Sequence, residues 1–273
     1  MKQSANVLSI NLQEYREIFF DTYRRGEPPM RLGVMILTRN GEGYDGRFPG
    51  KGMAELFGKS TTLVIIEKAL SLKTDGVIMA IPDTRDSDVL RRLGEDAGIQ
   101  VYQGDPVDIL DRQLRAMRVA DFDMALVWSG DCPLAMNRYN RPLINAALER
   151  GPDWWVVDLG KSYCPMEGSV GGVYSIQYFE SLRKIADRDS WKPSQREQPN
   201  VHAHRTPGYD EELLKHTYSV ELPNGPDKTK TDMKLSIDYP LELAVANKVC
   251  RYLGHLPESM EEVDLAYRSI HSL

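Results

Sequence analysis

Residues 32–51 read LGVMILTRNGEGYDGRFPGK, and the fold turns on how this stretch divides. Leu32 to Leu37 is an apolar run too short for a helix, bounded by Gly33 and by polar residues, which is the pattern of a buried parallel strand. The loop behind it carries Gly41, Gly43, Gly46 and Gly50, whose missing Cβ atoms let backbone N–H groups approach an anion. Arg39, Arg47 and Lys51 add charges that suit a polyphosphate. Two readings stand at this point: an oligophosphate cradle, or a solvated glycine loop with ordinary surface cations. No G-K-[ST] follows at Walker spacing and the glycines are not GxGxxG, so neither of those loops is present.

Working outward, the chain alternates. Thr61 to Leu72 has helical periodicity, Gly76 to Ile81 is a short apolar strand, and a helix from Asp86 to Ala97 leads to a strand at Ile99 to Gln103. A helix from Val107 to Val119 and a strand from Met124 to Ser129 continue the pattern, which implies a parallel sheet with its site at the carboxyl ends of the strands. Asp131 stands at such an end, directly after MALVWSG. A carboxylate facing a phosphate loop suits Mg²⁺, which takes a few carboxylates with phosphate oxygens and water; a helix-cap or turn aspartate is the plainer reading.

The second half is less regular. A helix is expected from Tyr139 to Arg150, strands at Trp154 to Leu159 and Val170 to Tyr174, and a helix from Ile176 to Ile185. Asp187 to Tyr209 reads as a polar loop, too long for an idle connection, with Trp191 as an exposed aromatic; a substrate lid or a dimer arm would explain it. His202 and His204 have no third ligand at zinc spacing. Thr217 to Leu222 and Met233 to Ile237 are expected strands, the latter ending at Asp238-Tyr239-Pro240 before a helix to Leu253. Asp238 therefore matches Asp131 in context, and the two could converge on one Mg²⁺. At the other end of the chain, Leu12, Tyr15, Ile18, Phe19 and Tyr23 recur at helical spacing behind Asn11, a candidate N-cap.

Composition narrows the function classes. The 273 residues, 41% of them hydrophobic, can bury a substantial core. A net charge of -6 gives no general attraction to nucleic acid, so phosphate chemistry has to rest on a local basic pocket. Three scattered cysteines, Cys132, Cys164 and Cys250, form no disulfide framework, so a reducing cytoplasmic setting is expected. The opening residues have no apolar core of signal-peptide quality, and no run is long enough to span a bilayer.

Four motifs in order, Arg39…Arg47-Phe48-Pro49-Gly50-Lys51, Asp108-Ile109-Leu110-Asp111-Arg112, Gly130-Asp131-Cys132-Pro133-Leu134 and Ile237-Asp238-Tyr239-Pro240, resemble the cytidylyltransferase superfamily. The resemblance is to its spore-coat-polysaccharide type, related to the CMP-Kdo and CMP-sialic acid synthetases. It implies a single GT-A-like, Rossmann-like α/β nucleotidyltransferase domain with a mixed, mostly parallel sheet over residues 31–253. Residues 1–30 would be a helical extension, 187–209 a polar arm and 254–273 a helical tail. It also implies transfer of a nucleotidyl group from a nucleoside triphosphate, with CTP favoured, to a small anionic acceptor, and a homodimer. By motif, Lys51, Arg39 and Asp131 are the expected catalytic residues. Leu37, Thr38, Gly41, Arg47, Asp111 and Arg112 would join them around the nucleotide, and Asp131 and Asp238 would hold Mg²⁺.

The chain departs from the family pattern where Thr38 replaces a glutamine and GEGYDG lengthens the loop. Y-P-R-G-L-D-V-E-V-F becomes Tyr163-Cys164-Pro165-Met166-Glu167-Gly168-Ser169-Val170, and R-E-H becomes Arg196-Glu197-Gln198. Tyr163, Glu167, Arg196, Glu197 and His204 are the expected acceptor residues, so the acceptor differs from that of the common relatives. An acceptor oxygen attacking the α-phosphorus in line needs no nucleophilic side chain, and no general base stands out, which favours a phosphate or phosphonate acceptor. Other readings stay open: a guanylyltransferase, a GT-A glycosyltransferase and an inactive homologue serving as a subunit. The D-x-D of a glycosyltransferase would be Asp121-Phe122-Asp123, which precedes its strand rather than ending it.

Overall fold

β1 (Leu32–Leu37) forms where the apolar run predicts it, and its alternate side chains serve two different layers. Leu32, Val34 and Ile36 enter one apolar cluster and Met35 the other. Gly33 faces the second, where a Cβ would lie 2.0 Å from the Phe122 ring, so the strand packs closely only because position 33 has no side chain. The computed structural model describes residues 29–41, 48–158, 170–197, 211, 213, 215–221 and 233–271. The helix expected from Leu12 to Tyr23 lies outside them.

After a 3-10 turn at Lys51–Met53, β2 (Glu55–Leu56) and β3 (Lys59–Ser60) make a small hairpin. α1 (Thr61–Leu70) follows, opened by the Ser60 hydroxyl accepting from the Leu63 N–H. Next come β4 (Val77–Pro82), α2 (Asp88–Asp96), β5 (Gln100–Gly104), α3 (Ile109–Ala120), β6 (Met124–Ser129) and α4 (Asn137–Arg150). Asp108 caps α3 through the Asp111 N–H at 2.8 Å. β7 (Val156–Asp158), β8 (Gly172–Ser175), α5 (Ile176–Arg188), α6 (Pro193–Glu197), β9 (Thr217–Ser219), α7 (Pro240–Leu253) and α8 (Met260–His271) complete the strands and α-helices among the described residues.

The seven-stranded sheet has the order β5-β4-β1-β6-β8-β7-β9. β5, β4, β1 and β6 are joined by parallel ladders, β8 runs against both β6 and β7, and β9 is parallel to β7. Every strand of this sheet except β8 therefore ends at the same rim. α1, α2, α4, α7 and α8 cover one face through Ile65, Leu90, Leu143, Val249 and Val263. α3 and α5 cover the other through Leu114, Met117, Phe179 and Leu182. This is the mixed, mostly parallel α/β sheet expected, and α8 is packed into its core. No helix among the described residues is long and apolar enough to cross a membrane.

Two expectations are corrected. Met233 to Ile237 is not a strand: Met233, Leu235, Ser236 and Ile237 are all buried, yet the segment joins no ladder, because covering a side chain does not require the backbone to be paired. Trp191 is only 7% exposed and sits in the second cluster, so it is no exposed anchor for a dimer arm. The polar stretch that contains it is also partly helical, since Asp187 and Arg188 close α5 and α6 follows.

Two side chains tie the first layer together. Asn247 on α7 accepts from Phe57 N–H at 2.9 Å and donates to the Glu55 carbonyl at 2.8 Å, fastening the helix to the β2–β3 hairpin. Lys68 on α1 donates to the carbonyls of Pro133 and Ala135, both at 3.0 Å, just beyond Asp131. Burial lowers its pKa from 10.5 to about 8. The folded state therefore disfavours the ammonium, a penalty fully present below the folded pKa and relieved as pH rises towards the unfolded value. Urea denaturation of the wild type should show stability rising between about pH 8 and 10.5 relative to Lys68→Met, which cannot titrate.

Candidate active site

Leu37 and Ser129 are paired at the ends of β1 and β6, and Gly130 N–H donates to the Leu37 carbonyl at 2.6 Å. A Cβ at Gly130 would come within 2.5 Å of the Thr38 Cβ and 2.8 Å of the Leu37 carbonyl, so this approach requires glycine. Thr38 is buried against it, which places its side chain behind the rim. The next residue, Asp131, emerges at the rim.

The glycine loop is gathered at the same place. Gly50 takes a left-handed φ of 78°, which glycine adopts at no steric cost, and its N–H donates to the Asn40 carbonyl at 2.7 Å. The start and end of the loop are thereby joined, and Lys51 opens the 3-10 turn, its carbonyl held by the Thr61 hydroxyl. A Cβ at Gly52 would meet the Arg39 carbonyl at 3.3 Å, and one at Gly41 would meet Asp86 Oδ2 at 2.9 Å. Arg39 and Gly41 thus stand beside Lys51 and the loop after β4. Arg47 lies outside the described residues.

Asp238 reaches the rim by a different route. The Ile237 N–H donates to the Asp131 carbonyl at 2.6 Å, which sets the two aspartates side by side. The Lys51 ammonium lies between them, 3.5 Å from Asp131 Oδ2 and 3.5 Å from Asp238 Oδ1. The other oxygen of each is held by neighbours. Asp131 Oδ1 accepts from the Ser129 hydroxyl at 2.5 Å and the Cys132 thiol at 3.2 Å. Asp238 Oδ2 takes Lys234 Nζ at 2.6 Å. Glu242, at the third position of α7, accepts the N–H groups of Asp238 and Tyr239 and lies 3.5 Å from Lys234.

Titration follows these contacts. Burial first, then the Asp131 carboxylate, pushes the Cys132 thiol well up, so it is a neutral donor and no thiolate. The hydrogen bond to Asp238 raises Lys234. Two carboxylates, each turning one oxygen to a shared point, fit Mg²⁺ in the chemistry of the donor set: hard oxygen ligands, few enough to leave positions for phosphate and water. No cluster of three metal-ligating side chains occurs among the described residues.

The other expected residues divide. Asp111 is taken up by Arg115 and Arg183, both at 2.7 Å, and Arg196 bridges Asp108 at 3.0 Å and Asp187 at 2.8 Å. These charges form a network linking α3, α5 and α6. Arg112 is buried, with a guanidinium N–H on the Asp105 carbonyl at 2.8 Å, and so braces the loop after β5. Tyr163, Glu167 and His204 lie outside the described residues, as does the Glu197 side chain. The candidate D-x-D sits at the opposite rim, before β6: Asp121 pairs with the Arg31 guanidinium at 2.9 Å and Asp123 accepts the Arg31 N–H at 2.7 Å. Reasoning from motifs missed Ser129, Lys234 and Glu242. The four-residue spacings Lys234–Asp238–Glu242 were the available signal.

No family model matches the chain. Over 104 residues, 38% of the chain, it is 32% identical to the 3-deoxy-manno-octulosonate cytidylyltransferase of Aeromonas salmonicida, and the match spans 39% of that protein. In structure it is similar to a cytidylyltransferase from Leptospira borgpetersenii serovar Hardjo-bovis, with a TM-score of 0.70 and 18% identity over 89% of this chain and 96% of that one. It is also similar to a CMP:2-keto-3-deoxy-manno-octonic acid synthetase solved with CTP, with a TM-score of 0.55 and 14% identity over 81% and 98% of the two chains. The chain therefore has the fold of the cytidylyltransferases that its motifs resemble.

Glu242 is the element of this site whose role is read most simply as stability. Glu242→Ala leaves two backbone N–H groups at the start of α7 without their acceptor, and urea denaturation should show a loss of about 1–2 kcal/mol.

Proposed function

We propose that the chain is a Mg²⁺-dependent cytidylyltransferase that moves CMP from CTP to a small anionic acceptor and releases pyrophosphate. The observation that carries this reading is the meeting of Asp131, Asp238 and Lys51 at the rim where the glycine loop closes. The cytidylyl assignment draws on the relative named above and on the shared fold.

In this reading Lys51, with Arg39 and Arg47 of the same loop, binds the triphosphate and offsets the charge that builds on it. Asp131 and Asp238 would hold Mg²⁺, which supplies further neutralisation of the phosphate oxygens when bound. Ser129 and Cys132 orient Asp131, while Lys234 and the Glu242-capped turn orient Asp238. The backbone of Gly41 and Gly50 allows close approach of the anion. Catalysis then consists of positioning and charge stabilisation as the acceptor oxygen displaces pyrophosphate in line. Cys132, neutral and engaged with Asp131, supplies no covalent intermediate. A phosphate or phosphonate oxygen, already ionised, attacks without a general base, whereas a sugar-acid hydroxyl would have to pass its proton to a base or a metal-bound hydroxide.

Pyrophosphate release, measured with CTP, GTP, UTP and ATP across phosphorylated, phosphonate and sugar-acid acceptors, tests the assignment. CTP is the expected donor; turnover with GTP alone would replace the cytidylyl reading and leave nucleotidyl transfer standing. Asp131→Asn should lower kcat by about a thousandfold or more with the thermal melt preserved. Near-normal turnover at ordinary Mg²⁺ would remove the metal role.

A further inference from the structure

Lys51 and Lys234 both contact Asp238, and they do so differently. Lys234 lies 2.6 Å from Oδ2, a tight charge-assisted contact, and is itself steadied by Glu242. Lys51 spans the gap between Asp131 Oδ2 and Asp238 Oδ1 at 3.5 Å from each, longer than such a contact usually is. Both carboxylates stay in position by other means: Ser129, Cys132, Lys234 and the Ile237–Asp131 backbone bond. The Lys51 backbone is pinned by the Thr61 hydroxyl and the Ala54 N–H on its carbonyl, leaving its flexible stem as the part that can swing.

Resting on the metal reading of the proposed function, we infer that the Lys51 ammonium and a divalent cation compete for the same pair of carboxylate oxygens, and that the triphosphate resolves the competition by drawing Lys51 away. Two cations cannot share one point between two carboxylates without strong repulsion. A triphosphate offers the ammonium several new anionic oxygens within the reach of its stem, so the lysine moves onto the nucleotide as the metal takes its place. Metal alone therefore binds weakly, and nucleotide and metal raise each other's affinity by the same factor. Lys51 is in this sense a guard on the aspartate pair as well as a phosphate ligand.

Mn²⁺ binding followed by electron paramagnetic resonance tests this without turnover. Without nucleotide, Lys51→Met should bind Mn²⁺ about tenfold more tightly than wild type, because a competing cation is gone. Lys51→Arg, which keeps the charge, should bind it as weakly as wild type. Asp131→Asn added to Lys51→Met should abolish the gain. Lys51→Met should also bind CTP more weakly in the absence of metal and lose most of the CTP-dependent increase in Mn²⁺ affinity. A gain in affinity cannot come from failure to fold, and Lys51→Gln provides a second neutral variant. Unchanged or weaker Mn²⁺ binding in both neutral variants, or a gain that survives Asp131→Asn, overturns the exchange. If wild type recruits Mn²⁺ with CTP, beyond a control of CTP alone, while the neutral variants gain nothing, only the exchange fails. If wild type recruits none, the metal reading falls and the exchange falls with it.

Discussion

The hydrogen bond from the Ile237 N–H to the Asp131 carbonyl, 2.6 Å long, is the constraint on which the rim depends. Asp131 follows a central strand and is placed by the sheet, whereas Asp238 belongs to a segment outside every ladder, with no register of its own. A backbone bond can align such a segment where side-chain packing alone would leave it able to slide. With this bond made, Met233, Leu235 and Ile237 fill the first core layer and Asp238 emerges beside Asp131. The Pro240 start of α7 and its Glu242 cap then fix the direction in which the chain leaves.

Bringing two carboxylates together costs Coulomb energy. The site offsets this with cations on opposite sides, Lys234 on the flank and Lys51 in the middle, and with donors from Ser129 and Cys132. The side chain of Asp238 is only 8% exposed and that of Asp131 27%, so screening by water is weaker at the first than at the second. That difference matches their partners: the more buried carboxylate has the closer ammonium.

Much of the architecture was legible because both faces of the sheet are covered. β1, β4 and β6 read as continuous apolar runs, and the helices between them carry periodic faces. The aspartate at the end of β6 and the lysine closing the glycine loop were legible for the same reason, since a parallel sheet announces its carboxyl rim. The apolar residues of Met233 to Ile237 misled, because they are buried in a segment that joins no ladder. Trp191 misled because polar neighbours in sequence said nothing about the α3 and α5 surfaces it packs on. Asp111 and Arg196 carry the residue types of a binding site, and their ion pairs across α3, α5 and α6 were not legible in the sequence because the partners are far apart along the chain.

β8 has a consequence for how this chain could change over time. Because it runs against β6 and β7, Asp158 at the end of β7 and Gly172 at the start of β8 lie at the same rim. Asn140 on α4, fully buried, accepts the Gly171 N–H at 2.9 Å, and a Cβ at Gly171 would press to 2.6 Å from the Val127 carbonyl. The start of β8 is thus held by the core. Variation at Asn140 or Gly171 would shift the start of β8, because each holds it through a contact with no room to spare.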